Sequence, residues 1–229
     1  TGFESAEEFD RLLTIFRRHS IDGLTIHART VRDGYRTPVR PACAAAAVAA
    51  LPCPVIANGN VVDVPTGLAW LAQSHAAGLM IGRGAIRNPW IFAQLRAHWH
   101  NTPAPVPAGR DLLGWITDLF HETAAFERRF TPSKHVAKMK KYLCYISQGV
   151  DPKGEFEYLI RRAADPAAFF RICEEYLDHG EPVAAAPPVT SSMFCGFSEL
   201  LRPAQAGTGH EPCCKILDTG GSRGNGCAP

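Results

Sequence analysis

Apolar residues fall at helical spacing near the start of the chain. Phe9, Leu12, Leu13 and Phe16 occupy i, i+3, i+4 and i+7, one buried stripe. Ser5 and Glu8 ahead of them are spaced as a capping box, and Arg17, Arg18 and His19 are expected in the last turn, where positive charge suits the dipole. The pattern then tightens to Leu24-Thr25-Ile26-His27, a compact strand, and the alternation repeats. Ala42 to Leu51 is alanine-rich and helix-forming, and Pro54-Val55-Ile56-Ala57 is a strand that ends at Asn58-Gly59-Asn60. Pro65 to Ala76 is another helix, and Gly78-Leu79-Met80-Ile81 a third strand, ending at Gly82-Arg83-Gly84. Strands apolar on both faces and separated by helices predict a parallel sheet covered with helices.

Beyond Ala85 the character changes. Asn88-Pro89-Trp90-Ile91-Phe92 opens a short helix, with Pro89 where a missing N–H is tolerated. A Pro-rich linker occupies 101–107, after which 110–128, 133–148, 153–163 and 166–179 all read as helices. Residues 181–229 are rich in Pro, Gly and small side chains without a sustained period, as in a disordered or irregularly packed tail. The expected organisation is an α/β domain over 1–100, a helical domain over 108–180, and a tail over 181–229. Three parallel strands cannot close a barrel, and a whole (β/α)8 barrel takes about 250 residues. The first domain is therefore either a small open sheet or the C-terminal part of a TIM barrel. A chain that begins at Thr1, almost inside an amphipathic pattern, favours the second.

Composition narrows this little. The 229 residues are 46% hydrophobic and 20% charged with a formal charge of +2, so bulk charge neither requires nor excludes a polyanionic partner. No run approaches the roughly 20 apolar residues of a membrane span, and no secretory signal pattern is present, so a soluble cytoplasmic protein without a membrane partner is expected. The eight cysteines lack C-x-x-C spacing and H-E-x-x-H is absent, so neither a metal site nor a disulfide framework is expected.

Candidate chemistry concentrates at consecutive strand ends. Glycine lets a backbone approach a ligand closely, and in barrels the loops after the last two strands commonly bind phosphate. Asn58, Gly59 and Asn60 after one strand, and Gly82 and Arg83 after the next, are candidates for that role, the Arg83 guanidinium gripping the anion. Tight turns alone would also explain the glycines. His27 closes the preceding strand, where a satisfied rim histidine is the ordinary alternative; three polar strand ends on one face favour a shared ligand. A second feature is the basic run Arg128, Arg129, Lys134, Lys138, Lys140 and Lys141. Lys134, Lys138 and Lys141 share one helical face, the footprint of phosphate-backbone binding, although many charge runs are merely solvated.

Together these blocks resemble the tRNA-dihydrouridine synthases. Leu24-Thr25-Ile26-His27-Ala28-Arg29-Thr30, Pro54 to Asn60, and Leu79 to Ala85 with Asn88 to Phe92 are similar to that family's last three barrel strands; Lys134-His135 and Lys140 to Leu143 are similar to its RNA-facing helix. The resemblance implies an FMN-dependent oxidoreductase that reduces the C5=C6 bond of a uridine in tRNA with NADPH, a monomer in its full-length form. It implies His27, Asn58, Gly59, Asn60, Gly82 and Arg83 as FMN-binding residues, and Arg128, Arg129, Lys134, Lys138 and Lys141 as RNA-binding. Ala28 stands where the family usually has Gly, and Asn60 where it usually has Asp. The family's proton-donating Cys is expected upstream of Thr1, so no residue here is assigned as catalytic, and the chain is expected to be a fragment inactive alone. Two other readings stay open: a different FMN- or phosphate-binding barrel oxidoreductase acting on a small metabolite, and a non-catalytic RNA-binding helical module.

Overall fold

The computed structural model describes residues 1–202 except 3, 6, 36, 127 and 128. Helix α1 (Glu8–Phe16) buries Phe9 and Leu13 against Ile26, Cys43, Ala47 and Val55. The expected capping box is not formed. Glu7 is the N-cap without a side-chain bond, the Ser5 side chain pairs with Glu7, and the Glu8 carboxylate accepts the Glu4 N–H at 3.0 Å. The helix ends at Phe16 with Arg17 as C-cap, so Arg17, Arg18 and His19 fall beyond its last turn.

Strands β1 (Leu24–His27), β2 (Val55–Asn58) and β3 (Gly78–Met80) form a parallel sheet in the order β1-β2-β3. Helices α2 (Pro41–Ala50) and α3 (Val64–Ser74) make the crossovers. Asp63 caps α3, accepting the Thr66 N–H at 2.9 Å, while the Thr66 hydroxyl accepts the Asp63 N–H. Trp70 on α3 is fully buried beneath the β2 end, and its indole N–H donates to the Gly59 carbonyl.

After β3 the structure departs from the expected loop. Arg83–Arg87 is a one-turn helix, α4, with Gly82 as N-cap, and the following helix α5 (Ile91–Trp99) starts past Pro89. Gly84 permits this: a Cβ there would lie 2.1 Å from the Val61 carbonyl oxygen, so only glycine lets α4 rest on the β2–α3 loop.

Helices α6 (Gly109–Phe126), α7 (Pro132–Ile146), α8 (Glu155–Ile160) and α9 (Pro166–Leu177) share a second core that includes Ile116, Met139, Leu143, Phe156 and Phe169. Thr131 and Asp165 cap α7 and α9, and the Asp151 carboxylate accepts three backbone N–H groups at the start of α8. Ile86 and Trp90 join this core, linking it to the α/β unit.

Over its described length the segment after α9 is irregular structure packed against the rest of the chain. Residues 181–183 pair with 107–109, and two 3₁₀ turns, Ser192–Phe194 and Phe197–Leu201, bury Phe194, Phe197 and Leu200. Residues 203–229 of the expected tail lie outside the described residues. Arg87, 4% exposed, donates to the carbonyls of Gln148, Ala184, Ala185 and Ala186 at 2.8–3.0 Å. Burial lowers its pKa to about 10 against the favourable charge of Asp63, and these hydrogen bonds of the cation all go to main-chain oxygens.

Candidate functional site

Parallel register sets the site. His27 lies opposite Asn58, and Asn58 opposite Met80, so all three strands end on one face. The Asn58 amide donates to the Met80 carbonyl at 2.7 Å, tying two of those ends together. Gly59 follows with φ of 126°, where an added Cβ would fall 2.7 Å from Val39 Cγ1, and Asn60 adopts a left-handed φ of 55°. Around them is a cleft of about 180 Å³. His27, Asn58, Gly59, Asn60, Gly82 and Arg83 all line it, so the structure brings together the six strand-end residues singled out from the sequence.

The cleft is positively charged. Arg83 donates through Nη1 to the Met193 carbonyl at 2.7 Å, and its Cζ lies 4.2 Å from the Tyr35 ring centroid and 5.9 Å from that of Phe194. Burial lowers its pKa without exchanging the cation for a neutral form at physiological pH. Arg29 is 4% exposed; its Nη2 donates to Asn60 Oδ1 at 2.9 Å, and its Nη1 is buried without a hydrogen-bond partner. Burial, then the charge of Arg83, brings Arg29 down to about 10. Asn60 is neutral, so the Arg29 charge has no carboxylate in that hydrogen bond. The His27 pKa is lowered, first by partial burial and then by Arg29, the terminal ammonium and Arg83. The loop between β1 and α2 is braced by Asp33, which pairs with both terminal nitrogens of Arg40 and accepts the Thr30 N–H at 2.7 Å. Those bonds, Arg40 foremost, hold the Asp33 carboxyl well below the usual carboxylate range.

An anion carried on a larger body fits these residues. A cleft of about 180 Å³ is smaller than the ~300–1,000 Å³ of a whole small-molecule site, so its size suits one end of such a ligand. The position a Cβ would take on Gly82 meets no atom within 4 Å, leaving room beside the Arg83 fork for a phosphate. Residues that the sequence reading missed are Arg29, Tyr35 and Phe194. Arg29 sits inside a quoted motif block, whereas Tyr35 lies in a polar loop and Phe194 in an aperiodic segment, neither with a local signal.

The basic stripe is on α7. Lys134, Lys138 and Lys141 line one open groove of about 450 Å³ with Phe130, Ala137 and Tyr142. Lys138 Nζ lies 5.5 Å from the Phe130 ring centroid. Arg129 is exposed in the turn before α7, and Arg128 lies outside the described residues. Lys140 turns away to donate to the Arg161 carbonyl at 3.0 Å. His135 points inward, 4% exposed, with its ring centroid 4.4 Å from that of Phe120 and Nε2 3.1 Å from the Thr123 hydroxyl.

The family model described as dihydrouridine synthase matches residues 4–179. A tRNA-dihydrouridine(16) synthase of Pasteurella multocida is 30% identical over 169 residues, covering 73% of this chain and 51% of the relative. A tRNA-dihydrouridine synthase B of Xanthomonas axonopodis pv. citri is 28% identical over 172 residues, 75% and 50% of the two chains. A tRNA-dihydrouridine(16) synthase of Cupriavidus necator is 30% identical over 169 residues, 72% and 48%. The chain spans about half the length of the curated relatives it matches.

Proposed function

Because the chain belongs to the dihydrouridine synthase family, we propose that it carries the cofactor-phosphate and RNA-binding portions of a tRNA-dihydrouridine synthase. In this reading the three βα units are the last part of a TIM barrel and α6–α9 form a tRNA-binding domain. The cofactor in this reading is FMN, which, reduced at the expense of NADPH, would supply hydride to the C5=C6 bond of a tRNA uridine. The convergence of six strand-end residues on one cationic cleft carries the proposal.

This chain's own residues have binding and orienting roles. Arg83 and the Gly82 backbone hold the phosphate, with Asn58, Gly59 and Asn60 lining the same cleft. Arg29, buried nearby, adds positive charge and fixes the Asn60 amide by its hydrogen bond. His27, at the end of β1, faces the body of the cofactor as a neutral imidazole near pH 7, consistent with its lowered pKa. No residue of the chain is assigned the proton-donating step. Lys134, Lys138 and Lys141, with Arg128 and Arg129, contact RNA phosphates, and the Phe130 and Tyr142 rings in the same groove suit an unpaired base.

Fluorescence titration with FMN and filter binding of tRNA test the two halves separately. Arg83→Ala should weaken FMN binding by about tenfold or more, the worth of a charge-assisted hydrogen bond. Exchanging Lys134, Lys138 and Lys141 for Glu should weaken tRNA binding and flatten its salt dependence by roughly 0.9 in slope per lost phosphate contact. A chain that binds tRNA but no FMN would instead be the RNA-binding module alone.

A further inference from the structure

Residues 182–202 lie beyond the part of the chain that the family model matches, yet they reach the candidate cofactor cleft. Their path is fixed from several sides. Arg87 holds the carbonyls of residues 184–186, and the Ser191 hydroxyl donates to Gln148 Oε1 at 2.7 Å. Phe194 and Phe197 are buried with Val62, and the Gln73 amide donates to the Leu200 carbonyl at 2.7 Å. A segment anchored this way presents its central carbonyls at defined places. The Met193 carbonyl accepts from Arg83 Nη1 at 2.7 Å, and the Cys195 carbonyl accepts a longer bond of 3.4 Å from the Asn60 amide. The Phe194 ring lines the cleft itself.

The chemistry of these contacts favours orienting over blocking. A neutral carbonyl engages one nitrogen of a guanidinium that carries five N–H donors, leaving the rest of the fork for an anion. A competing element would present a carboxylate, which pairs with the fork bidentately and cancels its charge. Among the described residues, the titratable groups coupled to Arg83 are Tyr35, Tyr145, Arg29 and His27, none of them a carboxylate.

Resting on the cofactor reading above, we propose that Met193 and Phe194, together with Tyr35, are positioning residues that aim the Arg83 guanidinium at the phosphate of FMN. The extension is thus a fourth wall of the cofactor site, built by this chain outside its family-like part.

Riboflavin lacks the phosphate, so the ratio of FMN to riboflavin affinity reads the aim of Arg83 and not general pocket integrity. Fluorescence titration of both flavins should show wild type preferring FMN. Phe194→Leu keeps apolar bulk but removes the ring, and Tyr35→Leu alters a side chain that is 61% exposed and outside both cores. The double variant should lose about tenfold in FMN affinity, with riboflavin affinity unchanged. Phe194→Tyr should retain the wild-type ratio. If Phe194→Leu does not fold, Tyr35→Leu alone should lower the ratio. An unchanged or raised FMN affinity in the folded variants overturns the proposal while leaving the cofactor reading intact. A wild type indifferent to the phosphate refutes the cofactor reading and this proposal together.

Discussion

Substituting alanine at two glycines in this chain should have opposite effects. In Gly84→Ala, the new Cβ would sit 2.1 Å from the Val61 oxygen and 3.1 Å from both Val61 C and Val62 Cα, all of them backbone. Even a close contact needs roughly an ångström more, and no rotamer can supply it, because helix and loop must separate as whole segments. Overpacking ordinarily costs about 1–3 kcal/mol, and a clash with main chain belongs at the upper end. For a chain of this size about 3 kcal/mol corresponds to a melting temperature lower by roughly 6–12 °C. Gly114, on the exposed face of α6, meets nothing within 4 Å. Alanine there removes backbone freedom from the unfolded chain and should stabilise by about 0.5–1 kcal/mol, raising the midpoint by roughly 1–4 °C. Circular dichroism melts of the two variants beside wild type measure both. Gly84→Ala melting within about 1 °C of wild type would refute the packing of α4 on the β2–α3 loop.

Two further outcomes concern titratable groups. Asp33→Asn leaves Arg40 without its carboxylate and should cost about 2 kcal/mol in urea unfolding. Because the folded Asp33 pKa is depressed, its contribution is present above the unfolded value near ~3.9 and is lost as pH falls through the lower folded one, so the gap between wild type and Asp33→Asn should close in acid. His27 is depressed in the same sense, so its contribution is present above about 6.5 and declines as pH drops through the folded midpoint. An NMR titration should place that midpoint below 6.5, and a value above it would contradict the cationic surroundings assigned to the β1 end.

The strand-and-helix order was legible because β1–β3 are short, mostly apolar runs, each followed by a helix-forming one. The expected two apolar faces do not hold for β1, where Thr25 and His27 are exposed, or for β3, where Met80 is. The order alone made the convergence of His27, Asn58 and Arg83 foreseeable, since parallel strands must end on one side. What escaped reading depends on partners distant in sequence. Arg83–Arg87 is one turn, too short to show a stripe, and the reason for Gly84 lies in Val61. Phe194, Phe197 and Leu200 recur every third residue, the period of 3₁₀ turns, and a search at 3.6 passes over them. Lys134, Lys138 and Lys141 line one groove of α7, whereas His135 among them packs on Phe120, because neighbouring residues of a helix face different sides. Ser5 and Glu8 had the right spacing for a cap in a helix that begins two residues later than the box requires.

The four oxygens that Arg87 grips all belong to peptide groups, so the contact is blind to which side chains those positions carry. Substitutions at 184–186 can accumulate almost silently provided the chain keeps its course. Arg87 itself has no such latitude, because one altered codon there would unfasten α4, the turn after α7 and the C-terminal stretch at a stroke. Mutational tolerance in this molecule should therefore be lopsided, broad in the segment that is held and narrow at the single residue that holds it.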